Sequence, residues 1–329
     1  MKQRQIGEIQ MKIIWPKAVS FDHGHVTVGA VTMSAPDAVT CPTAATDRGI
    51  AWFTRHGCDV KLATHYFGNA GFLAGSPVDV AADINTMLCD STINLVVSAG
   101  GGYNANAVLP FLDYEKIADA GKPIIGLSNP TVILNAITAK TGLVTYHGPV
   151  LIHNFGSETG IDEFTEQHFL NVLSNDNDIV VDAEHCWEWL RNGVVEGRLF
   201  GGNLWSLEHL IGTPWEPDWT GAILFVEDCF CELHQVYASL EHLKGAGVLG
   251  KINGMIVGIP LEVSESELPY KGSFNDVVMT VTNGFSFPIL ANVHLGHTDR
   301  KITMPIGARV RLDSGANTII FERKAITQK

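Results

Sequence analysis

The chain has 329 residues, 46% hydrophobic and 17% charged, enough for one large or two medium domains with sizeable cores. With 35 Asp and Glu against 22 Lys and Arg, its formal net charge of −13 argues against a nucleic-acid partner, because phosphate binding needs clustered Lys and Arg. No stretch reaches the length of a membrane span, residues 1–17 lack the apolar core of a signal peptide, and six scattered cysteines read as reduced thiols, so a cytoplasmic protein that does not contact membranes is expected.

The first half alternates strands and helices. Val26–Val31 reads as a strand, a helix carries Ile50 to Phe53, a strand runs from Asp59 to Leu62, and a helix covers Val78 to Leu88. Asn94–Ser98 is a buried-looking strand. After a helix near Tyr114–Ala120 comes the short strand Ile124–Gly126, then a helical run from Val132. This alternation predicts a parallel sheet covered on both faces, with ligands at the carboxyl ends of the strands.

From about Asn175 the texture changes, and the later strands (Ala222–Val226, Gly254–Gly258, Ala308–Leu312) are short and interrupted by Gly and Pro. A helix from Leu233 to Leu243 lies among them. The reading is an α/β protein: an N-terminal α/β domain over residues 1–175 and a β-rich α+β domain over residues 176–329. Cys229 and Cys231, placed at i and i+2 on a strand, would point to opposite faces and make a poor disulfide or metal pair.

Four segments carry candidate chemistry. In Gly126-Leu127-Ser128-Asn129-Pro130 a strand turns into a helix at a serine. That is the pattern of a nucleophile elbow and equally of a helix N-cap. Gly100-Gly101-Gly102 follows a strand and either cradles an anion with backbone amides or makes a tight turn. Glu227 and Asp228 end an apolar strand, where acids also serve solubility. His294 and His297 suggest half of a metal site, but no third ligand has convincing spacing, so no metal is assigned. Together, Ser128, Glu227 and His297 would supply a nucleophile, an orienting carboxylate and a base.

With these motifs in view, the chain resembles the LD-carboxypeptidase family of serine peptidases, which includes muropeptide LD-carboxypeptidases and microcin C self-immunity peptidases. The resemblance rests on Gly101-Gly102-Tyr103-Asn104-Ala105-Asn106, Gly126-Leu127-Ser128, Thr145-Tyr146-His147-Gly148-Pro149, Gly201-Gly202-Asn203-Leu204, Ile223-Leu224-Phe225-Val226-Glu227-Asp228 and Gly296-His297. It implies a flavodoxin-like N-terminal domain, a homodimer, no metal or other cofactor, and a Ser128-Glu227-His297 triad. It also implies an oxyanion hole at Gly101, Gly102 and the Asn129 amide. Asn203 falls on the substrate pocket, with Tyr103 and Asn104 as further substrate contacts. Apart from the resemblance, Trp187, Trp189, Trp205 and Trp215 gather near the domain junction, where an indole can stack on a base, and Trp187 is the one assigned to the site. The family usually has Asp after the serine and no proline next, so Asn129-Pro130 departs from its pattern.

The Gly-Gly-x-Asn loop looks more like the self-immunity branch, and Cys229-Phe230-Cys231 stands where a phosphate-contacting lysine is expected. Cleavage of an amide in a peptidyl- or aminoacyl-nucleotide antibiotic is therefore the leading expectation. Trimming of murein tetrapeptides is the alternative, and a non-catalytic small-ligand binder on the same scaffold the second.

Overall fold

The computed structural model describes residues 12–21, 25–264 and 272–323; the leader reading of residues 1–17 therefore lies largely outside it. The first sheet has six strands, five of them parallel: β1 (Val26–Val31), β2 (Cys58–Leu62), β3 (Leu95–Ser98), β4 (Ile124–Gly126) and β5 (Thr145–His147). Between and after them run α1 (Asp37–Thr40), α2 (Thr43–Arg55), α3 (Pro77–Cys89), α4 (Tyr114–Ala120), α5 (Thr131–Thr141) and α6 (Glu163–Ser174).

Local sequence explains the helix ends. Ser76 and Asp79 form a reciprocal capping box around Pro77, the first residue of α3. Asp113 caps α4, which stops where Gly121 adopts a left-handed φ of 56°. The strand order 2-1-3-4-5 is that of a flavodoxin-like sheet, and helices on both faces explain why β3 and β4 are buried at every residue.

The second sheet begins at β6 (Ile179–Asp182) and continues with β7 (Glu188–Arg191), β8 (Val194–Asn203), β9 (Ile223–Glu227), β10 (Gly254–Gly258) and β11 (Ile289–Val293). The short α7 (Leu204–Leu207) follows β8, α8 (Leu233–Gly245) joins β9 to β10, and α9 (Phe274–Val281) precedes β11. The four central strands, β8 to β11, are parallel, so β9 and β10 are wholly buried apolar runs. One strand crosses over: β12 (Met304–Ile306) leaves the later half of the chain and pairs antiparallel with β5 in the first sheet. β13 (Arg309–Asp313) and β14 (Thr318–Glu322) return to the second sheet.

The two sheets meet where α5 docks on β8. The Asn135 side chain donates to Gly201 O at 2.8 Å and accepts from Gly201 N at 3.1 Å, and Asn203 N donates to Thr131 Oγ1 at 3.1 Å. The helix behind the serine is thereby fixed to the strand beside Glu227.

The expected strand through Cys229 and Cys231 is corrected. β9 ends at Glu227, Phe230 takes a left-handed φ of 51°, and both thiols line the same cleft. All six cysteines are free thiols.

Candidate active site

Ser128 has φ +69°, a left-handed conformation that L-residues avoid because Cβ crowds the following carbonyl. The helix-cap alternative fails, because the N-cap of α5 is Pro130, two residues after Ser128, and no side chain caps the helix. The strand turns so sharply that the serine projects into a cleft of about 550 Å³. A Cβ on Gly101 would sit 2.8 Å from Ser128 Cβ and 3.0 Å from its Oγ, so only glycine lets that loop lie against the serine.

Asn129 is fully buried, and all of its side chain is engaged. Its Oδ1 accepts from Ser34 Oγ and Ala105 N, both at 2.7 Å, while its Nδ2 donates to Ser206 Oγ at 3.3 Å. Ser206 Oγ donates to Asn203 Oδ1 at 2.8 Å, and Asn203 Nδ2 donates to Asp228 Oδ1 at 3.0 Å. This chain of hydrogen bonds joins the residue after the serine to the residue after Glu227. It also explains the unusual Asn129: an aspartate there has no N–H to give Ser206, whose own proton is committed to Asn203.

Glu227, at the end of β9, is completely buried and accepts from His297 Nδ1 at 2.6 Å. Gly296, at φ +85°, allows the approach, since a Cβ there would stand 2.4 Å from Glu227 Oε2. Burial pushes the Glu227 carboxyl up, but the charge and hydrogen bond of His297 outweigh it and hold the group below its ordinary value. Burial likewise opposes charge on His297, and the Glu227 contact prevails and raises its pKa. With Nδ1 committed to the carboxylate, Nε2 is the ring nitrogen left to exchange a proton.

Behind this pair lie groups that sequence reasoning did not single out. His147 is fully buried with its Nε2 3.8 Å from Glu227 Oε1, and burial depresses its pKa to about 4. Lys301 is also fully buried, its pKa lowered by burial to about 8. On the cleft side, Asp228, which the sequence already marked beside Glu227, is pushed up to about 6 by burial and by that neighbour. Residue type alone carries no signal for His147 or Lys301, because only the fold brings them behind a carboxylate on β9.

The cleft contains Ser128, His297, Gly101, Gly102, Tyr103 and Asn203, with Asp228 and Trp205 in its wall. Some expectations are corrected. The Gly101 N–H already donates to Asp37 Oδ2 at 2.9 Å, so it is not available as an oxyanion donor; Gly102 and Asn129 remain as the candidate amides. Asn104 leads into a turn of 3-10 helix and does not line the cleft. Trp187 packs against the core outside the cleft, whereas Trp205 lines it, 5.9 Å edge-on from Tyr103. His294 and His297 do not form a metal half-site, because they serve different carboxylates, Glu184 at 3.3 Å and Glu227 at 2.6 Å.

This geometry agrees with what known proteins say of the sequence. The LD-carboxypeptidase N-terminal domain matches residues 28–148, and the C-terminal domain of the same family matches residues 196–312. The chain belongs to the LD-carboxypeptidase family. It is a serine-type carboxypeptidase by that membership. Over 335 aligned residues it is 30% identical to the microcin C7 self-immunity protein MccF of Escherichia coli, covering 92% of this chain and 95% of that protein. A probable murein peptide carboxypeptidase of Bacillus subtilis is 29% identical, covering 90% of this chain and 91% of its own. Among solved structures, MccF in complex with glutamyl sulfamoyl guanosine superposes with a TM-score of 0.85 at 27% identity, over 95% of this chain and 98% of that one. A muramoyltetrapeptide carboxypeptidase from Oxalobacter formigenes gives 0.78 at 27% identity, over 90% and 97%. Among the described residues no helix is long and apolar enough to cross a membrane.

Proposed function

We propose that this protein hydrolyses an amide in an aminoacyl- or peptidyl-nucleotide-like compound through Ser128, His297 and Glu227. His297 Nε2 takes the Ser128 proton as Oγ attacks the carbonyl, and Glu227 holds the ring in the required tautomer and stabilises the imidazolium. The Asn129 and Gly102 amides receive the oxyanion. His297 then protonates the leaving nitrogen, and water hydrolyses the acyl-serine by the reverse proton path. The observation that carries the reading is a 2.6 Å pair between buried Glu227 and His297, whose ring shares a cleft with a left-handed serine.

The rim supports the nucleotide-like class. Tyr103, Trp205 and Phe230 are exposed aromatic rings around one cleft, suited to stacking on a planar base. No Lys or Arg lines it among the described residues, which favours a linker without a phosphate's full charge. The cell-wall relatives keep a second reading open: release of the terminal residue from a murein tetrapeptide. Parallel assays with an aminoacyl sulfamoyl nucleoside and a murein tetrapeptide decide between them, and faster turnover of the tetrapeptide overturns the first. Ser128→Ala separates enzyme from binder: hydrolysis vanishes while ligand binding stays. In this reading the protein acts in the cytoplasm as a homodimer, with the nucleophile on residues 1–175 and its partners on residues 176–329; light scattering tests the dimer.

A further inference from the structure

Apart from the triad, two groups of three metal-ligating side chains bring their donor atoms within 4.8 Å of one another among the described residues. In the first, Glu184 with Cys186 and His294, the carboxylate is already gripped by Arg300, whose Nε and Nη2 both lie at 3.2 Å. A guanidinium at that distance opposes a second cation. The other group is Asp37, Cys41 and His153, and no Lys or Arg pairs with its carboxylate among the described residues.

Its geometry approaches a metal half-site. Asp37 and Cys41 are one helical turn apart, with Cys41 N donating to Asp37 O at 2.8 Å, so both side chains lie on one face. His153 Nε2 stands 3.1 Å from Asp37 Oδ2. Ligands of tetrahedral zinc, bound at about 2.0–2.3 Å, are roughly 3.2–3.8 Å apart; the oxygen and nitrogen stand near that spacing, and the thiol, within 4.8 Å of both, reaches it by a small side-chain movement. One oxygen, one nitrogen and one sulfur donor suit a borderline ion such as Zn²⁺ over Mg²⁺ or Ca²⁺. Asp37 and His153 line the catalytic cleft, so remaining coordination positions open toward it.

The same Asp37 Oδ2 holds the Gly101 amide at 2.9 Å, in the loop that packs against Ser128. We propose that Asp37, Cys41 and His153 form an inhibitory zinc site at the mouth of the cleft, whose occupancy draws Asp37 from the Gly101 amide and loosens the loop beside the nucleophile. Binding releases the Cys41 thiol proton to solvent and uses neutral His153.

The test is a titration of the reduced, chelator-treated full-length protein with Zn²⁺ and, separately, with Co²⁺, both without substrate, followed by hydrolysis assays with and without zinc. The parent should bind one zinc at this site and give a cobalt–thiolate charge-transfer band. Cys41→Ser, which lies outside the catalytic machinery, should lose that band, bind zinc roughly 10-fold or more weakly, and keep its zinc-free hydrolysis. Zinc should slow the parent and not the variant, and a chelator should restore the rate. Cys186→Ser should leave zinc affinity unchanged. The proposal is overturned if Cys41→Ser binds zinc like the parent, if only Cys186→Ser or a Cys229→Ser/Cys231→Ser double variant loses it, or if zinc held by Cys41 leaves hydrolysis untouched. Since binding is read without substrate, failure of the peptidase reading shows up separately as a protein that binds zinc but hydrolyses nothing.

Discussion

The two halves of the candidate active-site cleft are built by different means. On the first sheet the serine is placed by backbone: a left-handed residue between β4 and α5, packed against a glycine loop and tied down by neutral hydrogen bonds through Asn129. On the second sheet the carboxylate is placed by charge. Glu227 is fully buried against His297, with His147 and Lys301 in the same low-dielectric region. The first design is cheap in electrostatics and holds the serine itself in a strained conformation; the second is electrostatically tense. Perturbing the first should therefore switch chemistry off with the fold intact, whereas perturbing the second should move pH profiles and stability.

The largest contrast is in turnover. Ser128→Ala is expected to lower kcat on the order of 10⁴-fold or more with an unchanged melting temperature. Glu227→Gln removes the charge that fixes the tautomer and should cost roughly 10²–10⁴-fold in kcat/KM. In the proposed mechanism neutral His297 is the working form; with Glu227 raising its pKa, activity in the parent should fall on acidification at a pH above the ordinary histidine value of about 6.5. In Glu227→Gln that acid limb should move down. An unshifted limb in a pH–rate profile would show that His297 is not the titrating base.

The next effect concerns stability against pH. His147 and His168 are buried neutral with pKa values depressed to about 4, so the stability they confer is present above about 6.5 and lost as pH falls toward 4. Each loss should approach 3 kcal/mol, on the order of a two-to-three-unit shift, and denaturant melts from pH 7 to pH 4 measure it. His297 has the opposite sign: its raised pKa stabilises below about 6.5 and fades as pH rises through the folded value.

Lys301→Met tests the buried cation directly. With a folded pKa of about 8 against about 10.5 unfolded, the lysine destabilises below pH 8, and its replacement should gain about 1–3 kcal/mol at pH 7, a gain that shrinks toward pH 10.5. Because Lys301 opposes charge on His297, the acid limb of activity should also move up. The smallest effect is expected on the backbone-built side, where Asn129→Asp loses the donor to Ser206 and should cost about 1–2 kcal/mol in chemical denaturation.

The sequence alone determined what is local. Alternating apolar runs marked β1 to β4 and the helices α2 to α5, Gly-Leu-Ser-Asn-Pro marked the strand-to-helix corner, and Glu227 and His297 stood out beside the family motifs, while β5 was visible only as a motif and not as a strand. These features depend on neighbours a few residues apart, whose spacing fixes periodicity, turns and caps. Tertiary structure decided what depends on approach between distant segments. It moved β12 into the first sheet, gave the Gly101 amide to Asp37, put Trp205 in the cleft and Trp187 outside it, and brought His147 and Lys301 behind Glu227. Burial and the pKa values that follow from it are properties of the assembled dielectric, and no spacing along the chain encodes them.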